Sequence, residues 1–187
     1  MLAVMTASDL DKPAPPTPRL WTPAGFREDE WRHADSSAAL SGNGRFILPL
    51  QVFLDLDPEQ RRSAKERLGV LLLPADAVEK IVPLLDDLSL VALAFPAFND
   101  GRSFSKAELL RSRHGFKGPL RATGQVLVDQ LPHMLRLGFD EFEVTHPVLI
   151  ARLEEGEAGG IPLYYQPTAK AAEAPAKGPG YSWRRSR

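Results

Sequence analysis

Short apolar runs alternate with helix-like segments between residues 45 and 145. The strand-like runs lie at residues 45–50, 69–74, 90–98, 120–123 and 142–145. Each has the length of a buried strand, and the runs at 69–74 and 90–98 are apolar at nearly every position. Because their side chains are apolar on both faces, these two runs are typical of a parallel sheet that is covered on both sides.

The segments between the strand-like runs carry helix signals. Predicted helices cover residues 57–68, 76–88, 105–114 and 125–137. Asp57 followed by Pro58 is a typical helix start, and either Ser103 or Ser105 is expected to cap the third helix. Gly69 and Gly115 are predicted helix stops, as is Gly138 at the end of the fourth. Pro83 is expected to kink or shorten the second helix.

This alternation predicts an α/β fold, because parallel strands need helical crossovers between them. We expect a layered, mostly parallel sheet of about five strands with flanking helices. The spacing fits a partial or small barrel-like arrangement equally well, and this alternative stays open. The domain is predicted to span residues 21–165.

Both ends of the chain differ from this domain. Residues 1–20 hold four prolines and little periodic apolar pattern, which predicts a disordered arm. Residues 166–187 form a predicted flexible basic tail, with five basic side chains against Glu173. The tail is either a solvated end or a docking segment in which Tyr181 and Trp183 act as aromatic anchors.

Composition narrows the function classes. The formal net charge of −1 gives no electrostatic reason to expect nucleic acid or a membrane surface as partner. The absence of cysteine excludes disulfides, thiol nucleophiles and cysteine-held zinc or iron–sulfur clusters. The four histidines lack metal-ligand spacing, so no metal site is expected. Neither a membrane-spanning run nor a secretory signal is apparent, and a cytoplasmic location is expected.

The most informative stretch follows the run at 90–98, which ends in Ala94-Phe95-Pro96-Ala97-Phe98. Ligands of open α/β sheets bind at the carboxyl ends of strands. Here the chain continues as Asn99-Asp100-Gly101-Arg102-Ser103-Phe104-Ser105 and then enters a helix. A tight glycine turn, hydroxyls, helix-start amides and an arginine together favour an anion site. The alternative is ordinary turn chemistry with a serine cap.

Further polar residues come from the segments that follow. Arg121 lies in a buried-looking strand, where an arginine needs a partner or a ligand. Either Arg102 and Arg121 converge on an oxyanion, or Arg121 forms a structural ion pair with Asp129 or Asp100. The predicted ligand-binding set is Asn99, Asp100, Gly101, Arg102, Ser103, Ser105, Arg111, Arg121, Asp129 and Gln130.

Standard catalytic motifs are missing from the sequence. The segment 118–125 lacks the spacing and the lysine of a phosphate-binding loop, and neither a dinucleotide fingerprint nor a nucleophile elbow is present. The motifs therefore identify no catalytic residue.

Five ordered segments resemble a bacterial family of unknown function. They read AFPAFNDGRSFS at 94–105, LLR at 109–111, GPLRATG at 118–124, VDQ at 128–130 and MLRLGFDEF at 134–142. Members of this family carry the provisional label of oxidoreductases involved in sulfite reduction. The resemblance extends from about residue 45 to 142.

The resemblance implies a role in sulfur assimilation, because members are encoded beside sulfite reductase genes. We expect an accessory protein of assimilatory sulfite reduction, with sulfite reductase or another sulfate-assimilation enzyme as partner and an oxyanion- or reductase-binding face at the strand ends. The alternative is a small oxidoreductase with a non-covalently bound flavin or nicotinamide. In that case Asp100 or Asp129 would act as acid or base, and Arg102 and Arg121 would hold an oxyanion. A ligand-sensing domain is a third alternative.

Overall fold

Eight strands form one sheet in the computed structural model, which describes residues 17–159. The strands are β1 (Arg19–Thr22), β2 (Gly25–Arg27), β3 (Trp31–His33), β4 (Arg45–Pro49), β5 (Leu68–Leu72), β6 (Leu90–Phe95), β7 (Leu120–Gly124) and β8 (Glu141–Val144). Their order across the sheet is β2-β1-β8-β7-β6-β5-β4-β3. The strands β3 to β8 run parallel to one another, whereas β1 pairs antiparallel with both β2 and β8. The α/β class is thus as predicted, but the sheet is mixed and has eight strands rather than five.

The sheet is curled, and the connection between its two edges shows this. A flat sheet of eight strands at about 4.8 Å spacing would be about 34 Å wide. The edge strands β2 and β3 are separated by only three residues, 28–30. Four peptide steps from Arg27 to Trp31 reach at most about 14 Å, so the edges must approach each other. The curled sheet therefore corresponds to the barrel-like alternative more closely than to a flat layered sheet.

The two faces of the sheet are buried in different ways. The outer face, which includes Val70, Leu93 and Phe142, shares one apolar cluster with buried residues of all five described helices. The inner face packs on itself in a second cluster around Ile47, Leu90 and Ala92. The expected cover of helices on both faces is therefore wrong: the curl buries the inner face without them.

Five α-helices lie within the described residues. They are α1 (Leu50–Leu54), α2 (Pro58–Ala64), α3 (Arg102–Glu108), α4 (Leu131–Arg136) and α5 (Pro147–Glu154). The predicted helix start at Asp57 is confirmed, and a capping box with Gln60 forms it: Asp57 accepts from the Glu59 amide, and Gln60 accepts from the Asp57 amide. None of these helices has both the length and the apolar character that a membrane span needs.

Several predicted helices differ from the expectation in extent or in type. Residues 76–88 form two 3₁₀ helices, Val78–Lys80 and Val82–Asp87, because Pro83 interrupts the regular pattern. Only Leu131–Arg136 of the fourth predicted helix is helical. The third begins at Arg102 with Gly101 as cap, and its last turn, Leu109–Arg113, is a wider π-type turn.

The predictions for Gly69, for the strand at 90–98 and for the arm at 1–20 also need correction. Gly69 does not stop a helix but lies in β5, where a Cβ atom would come within 3.2 to 3.3 Å of Trp31, Ile47 and Leu90. The run at 90–98 is a strand only to Phe95. The predicted disordered arm overlaps β1, since Arg19 and Leu20 pair with β8. The rest of that arm, up to residue 16, and the predicted tail at 166–187 lie outside the described residues.

Candidate functional site

The loop after β6 presents an exposed aromatic ring at the carboxyl edge of the sheet. Phe98 is 66% exposed, whereas most large apolar side chains in the described residues are covered. Its carbonyl accepts a 2.8 Å hydrogen bond from the Gln130 side chain, and the Asp100 amide donates to Ala97 at 3.1 Å. These bonds tie the loop that carries the ring to Gln130, the residue before α4, and close a turn within the loop.

A charged pair stands next to this ring. Arg102 donates to both carboxylate oxygens of Asp100, at 2.9 and 2.7 Å, and this contact lowers the pKa of Asp100. Lys106, on α3, interacts electrostatically with both Asp100 and Arg102. Its ammonium group donates to the carbonyl of Leu73, a residue that follows β5 and is 51% exposed. We call Leu73, Phe98, Asp100 and Arg102 the strand-end surface.

One serine of the predicted anion site is buried in the fold, and the other is exposed to solvent. Ser103 is fully buried, and its hydroxyl donates to the carbonyl of Ala94 at 2.6 Å. Ser105 is exposed, as is Asn99. Neither serine caps α3, because Gly101 is the cap residue and Asp100 accepts from the Arg102 amide. The expected serine cap is therefore wrong.

Arg111 lies near the amino ends of β7 and β8, at the opposite end of the strands from the loop after β6. Its guanidinium donates to the carbonyls of Phe116, Gly118 and Gly138, just before β7 and β8 begin, and it pairs with Asp140. The structure thus separates Arg111 from the loop after β6, with which it was predicted to act. Sequence spacing could not reveal this, because α3 and its π-type turn run from the carboxyl ends of the strands back to their amino ends.

Arg121 is fully buried on β7, and all five of its N–H groups donate to carboxylates. The bonds to Glu141 measure 2.9 and 2.7 Å, those to Asp29 2.8 and 3.0 Å, and the one to Glu143 3.2 Å. Arg121 thus forms a structural ion pair, but the expected partners Asp129 and Asp100 are wrong. An anion at this guanidinium would have to compete with three bound carboxylates.

Glu143 connects Arg121 to the far edge of the sheet. Its carboxylate lies 2.8 Å from Nε2 of His33 on β3 and accepts a 2.6 Å bond from the Thr123 hydroxyl. Burial raises the pKa of Glu143, but the contacts with His33, Thr123 and Arg121 outweigh it and lower the pKa overall. This network therefore ties β3, β7 and β8 together across the inner face.

A cleft of about 530 Å³ lies between the segment that follows β7 and the helix that follows β8. Val128 and Pro132 form an apolar wall of this cleft. Its polar lining comes from Asp129, His133, Arg136 and Arg152. Because both segments leave the carboxyl ends of parallel strands, the cleft lies at the edge where α/β sheets bind ligands. Sequence reasoning placed only Asp129 in a ligand site.

His133 in this cleft is kept toward its neutral form. Burial lowers the pKa of His133, and the charge of Arg136 lowers it further. Arg136 Nη2 lies 3.4 Å from Nδ1 of the ring, and because a guanidinium can only donate, Nδ1 accepts in this contact when the proton is on Nε2. Phe104 packs against the ring with 4.9 Å between the centroids. Burial and the neighbouring Arg136 charge therefore favour the neutral form of His133 over the cationic form.

The ten predicted site residues thus fall into four places. Asn99 to Ser103, Ser105 and Gln130 lie at the carboxyl-end loop and the start of α3, whereas Asp129 lines the cleft. Arg121 is in the buried network and Arg111 is near the amino ends of β7 and β8. Within residues 17–159, no three His, Asp or Glu side chains are grouped so that they could hold a metal ion.

Most of the residues described above lie in a region that matches a known protein family. The family described as bacterial protein of unknown function (DUF934) matches residues 69–176, more than half of the chain. The chain belongs to this family. The DUF934 match includes all ten predicted site residues and Arg152, but not Asp29 and His33 of the buried network. No curated protein matches the sequence.

Proposed function

We propose that the protein is an accessory protein of assimilatory sulfite reduction and that it binds sulfite reductase through the strand-end surface. The resemblance of the five segments supports the pathway. The strand-end surface supports binding of a protein, since aromatic and arginine side chains contribute most at interfaces.

The observation that carries this proposal is the exposure of Phe98 on a loop held by hydrogen bonds. Exposing an aromatic ring to water costs free energy, and burial of one such side chain contributes about 1.5–3 kcal/mol. The bonds from Gln130 and Asp100 keep the ring on the surface. A partner that covers it therefore gains this burial with little loss of loop entropy.

The charges around Phe98 suit the rim of an interface. The Arg102 side chain is 62% exposed although it pairs with Asp100, so its planar face remains accessible to a partner. Exposed pairs contribute little to stability, but they orient an approaching partner. Leu73 extends the apolar area toward β5.

Binding of the purified full chain to the sulfite reductase of the same bacterium tests the proposal. Phe98→Ser is expected to weaken the affinity about tenfold or more, because an aromatic anchor is lost. Val148→Ser is the matched control, since Val148 is 57% exposed but outside the strand-end surface. Equal binding by both variants and the original chain, or no complex at all, would contradict the proposal.

Growth of a deletion strain tests the pathway separately. The strain is expected to grow on sulfide or cysteine but not on sulfate or sulfite as sole sulfur source. A plasmid carrying the original gene should restore growth on sulfite, whereas the Phe98→Ser gene should restore it less well. Normal growth of the deletion strain on sulfite would remove the pathway from the proposal.

A further inference from the structure

The cleft between α4 and α5 is separate from the strand-end surface and has a charge pattern of its own. Two guanidinium groups, Arg136 from α4 and Arg152 from α5, line it together with the carboxylate of Asp129. We propose that this cleft binds a small tetrahedral or pyramidal oxyanion that carries a proton, of the class of hydrogen phosphate and hydrogen sulfite.

The arginines account for the anionic part of the ligand. Guanidinium groups form strong, directional hydrogen bonds to oxyanions, and two of them on different helices approach a ligand from two sides. Arg152 contacts Glu157 at 3.4 Å, but the two side chains are 43% and 60% exposed. An exposed pair of this kind is weak, so a ligand in the cleft competes with it easily.

Asp129 accounts for the proton on the ligand. A carboxylate repels a fully ionised oxyanion but accepts a hydrogen bond from an O–H group. Near neutral pH phosphate carries an O–H group in both of its ionised forms, and sulfite carries a proton in its hydrogen sulfite form, whereas sulfate carries none. Asp129 therefore selects within the class of oxyanions by penalising the unprotonated ones.

His133 adds a donor without adding charge. With Arg136 at Nδ1, the ring presents Nε2–H as its donor. A neutral donor can bond an oxygen of the ligand without favouring the fully ionised form. The packing of the ring against Phe104 holds its orientation.

The cleft chemistry stands without the proposed function, whereas the identity of sulfite as the cellular ligand rests on it. Hydrogen phosphate and hydrogen sulfite would be recognised in the same way, with an O–H group directed at Asp129 and oxygens directed at the two arginines. Binding measurements on the isolated protein need no reductase, so the two proposals fail separately.

Calorimetric titration of the full chain with inorganic phosphate, sulfite and sulfate near neutral pH tests this inference. We expect phosphate and sulfite to bind saturably and sulfate to bind at least about tenfold more weakly. Arg152→Gln should weaken phosphate or sulfite about tenfold, and Asp129→Asn should narrow the preference over sulfate. Arg113→Gln, an exposed position on the π-type turn, is the matched control.

The outcomes separate clearly. Tighter binding of sulfite than of phosphate supports the link to sulfite reduction, and the reverse order supports the cleft with phosphate as its ligand. The inference is overturned if the original chain shows no saturable binding up to about 10 mM. It is also overturned if Arg152→Gln binds as the original chain does, or if sulfate binds more tightly than phosphate and sulfite.

Discussion

Arg121 illustrates how a single buried charge organises its surroundings. A guanidinium with no exposed surface is compatible with a stable fold only when each donor has an acceptor. Five bonds to three carboxylates meet this requirement. The sequence indicated the need for a partner, because the flanking residues of Arg121 are those of a buried strand.

Arg121→Ala should lower the free energy of unfolding by about 3–5 kcal/mol, because it leaves three carboxylates clustered without their cation. Arg113→Ala is the control and should change it by less than about 0.5 kcal/mol, since Arg113 is exposed. Chemical denaturation of both variants measures the difference. Similar small effects would show that the network does not support the fold, and a loss of activity in Arg121→Ala must be judged against its stability.

Glu143 should make the protein sensitive to acid. Its folded-state pKa is lowered from 4.5, so the folded state favours the charged carboxylate more than the unfolded chain does. The resulting stability is present above about pH 4.5 and is lost as the pH falls through the lower folded-state pKa. We expect the free energy of unfolding of Glu143→Gln to fall less steeply than that of the original chain between about pH 5 and 3.

Denaturation at a series of pH values checks this expectation. Glu155→Gln, at an exposed position just after α5, should follow the curve of the original chain. If Glu143→Gln shows the same slope as both, the contacts with His33, Thr123 and Arg121 do not hold the charged form of Glu143.

At the scale of elements, the carboxyl end of β7 is packed closely against the end of β6. Gly124 closes β7 with a φ of 94°, in the left-handed region, and a Cβ atom there would lie 2.5 Å from the carbonyl oxygen of Phe95. The Gln125 amide donates to the same carbonyl at 2.7 Å. The join between β6 and β7 at the carboxyl edge therefore has no room for a side chain.

Gly124→Ala should lower the free energy of unfolding by about 3 kcal/mol, because backbone strain and a steric clash add together. Gly25→Ala is the matched control. Its φ is 111° but no atom lies within 4 Å of the added Cβ, so it should cost about 1 kcal/mol. Denaturant midpoints measure both. Equal costs would mean that the carbonyl of Phe95 moves aside freely.

Some elements could be predicted and others could not, for a physical reason. The strands β4 to β8 and the start of α2 are visible because their apolar runs and capping residues are local signals. The strands β1, β2 and β3 have three or four residues each, too few for a pattern. Of the fourth predicted helix only Leu131–Arg136 is helical, and Pro132 lies in its first turn.

At the scale of the whole molecule, the curl of the sheet decides which residues meet. β3 pairs on one side with β4, and its His33 also reaches Glu143 on β8 across the inner face. Asp29, in the short connection between the two edges, reaches Arg121. These contacts hold a sheet edge that has one strand neighbour among the described residues.

His33→Ala should therefore loosen the edge without affecting the centre of the sheet. We expect amide hydrogen exchange in β3 to become about tenfold faster, because one stabilising contact is lost. Exchange in β6, with neighbours on both sides, should stay unchanged. Uniform acceleration in all strands, or none in β3, would contradict this description of the inner-face network.

The candidate site follows the same division. The sequence placed a polar loop at the carboxyl end of a buried strand, and the structure has it there. It could not place Arg111 at the other end of the strands or bring Arg136 and Arg152 to one cleft, because these positions depend on helix length and packing. It also gave no sign that the carboxylates around Arg121 come from Asp29, Glu141 and Glu143, although Glu141 and Glu143 alternate along one strand as inward-facing residues do.

By itself the sequence determined the α/β class, the positions of the central strands and the presence of a buried cation that needs acceptors. These follow from periodicity, capping and the cost of burying charge, which act over a few neighbouring residues. Only the tertiary structure decided the eight-strand order, the curl, the partners of Arg121 and the separation of the ten predicted site residues. Long-range contacts decide these features, and within the described residues one such contact joins Arg19 and Glu154, which are 135 positions apart. A pattern over a few neighbouring residues cannot indicate a partner at that distance.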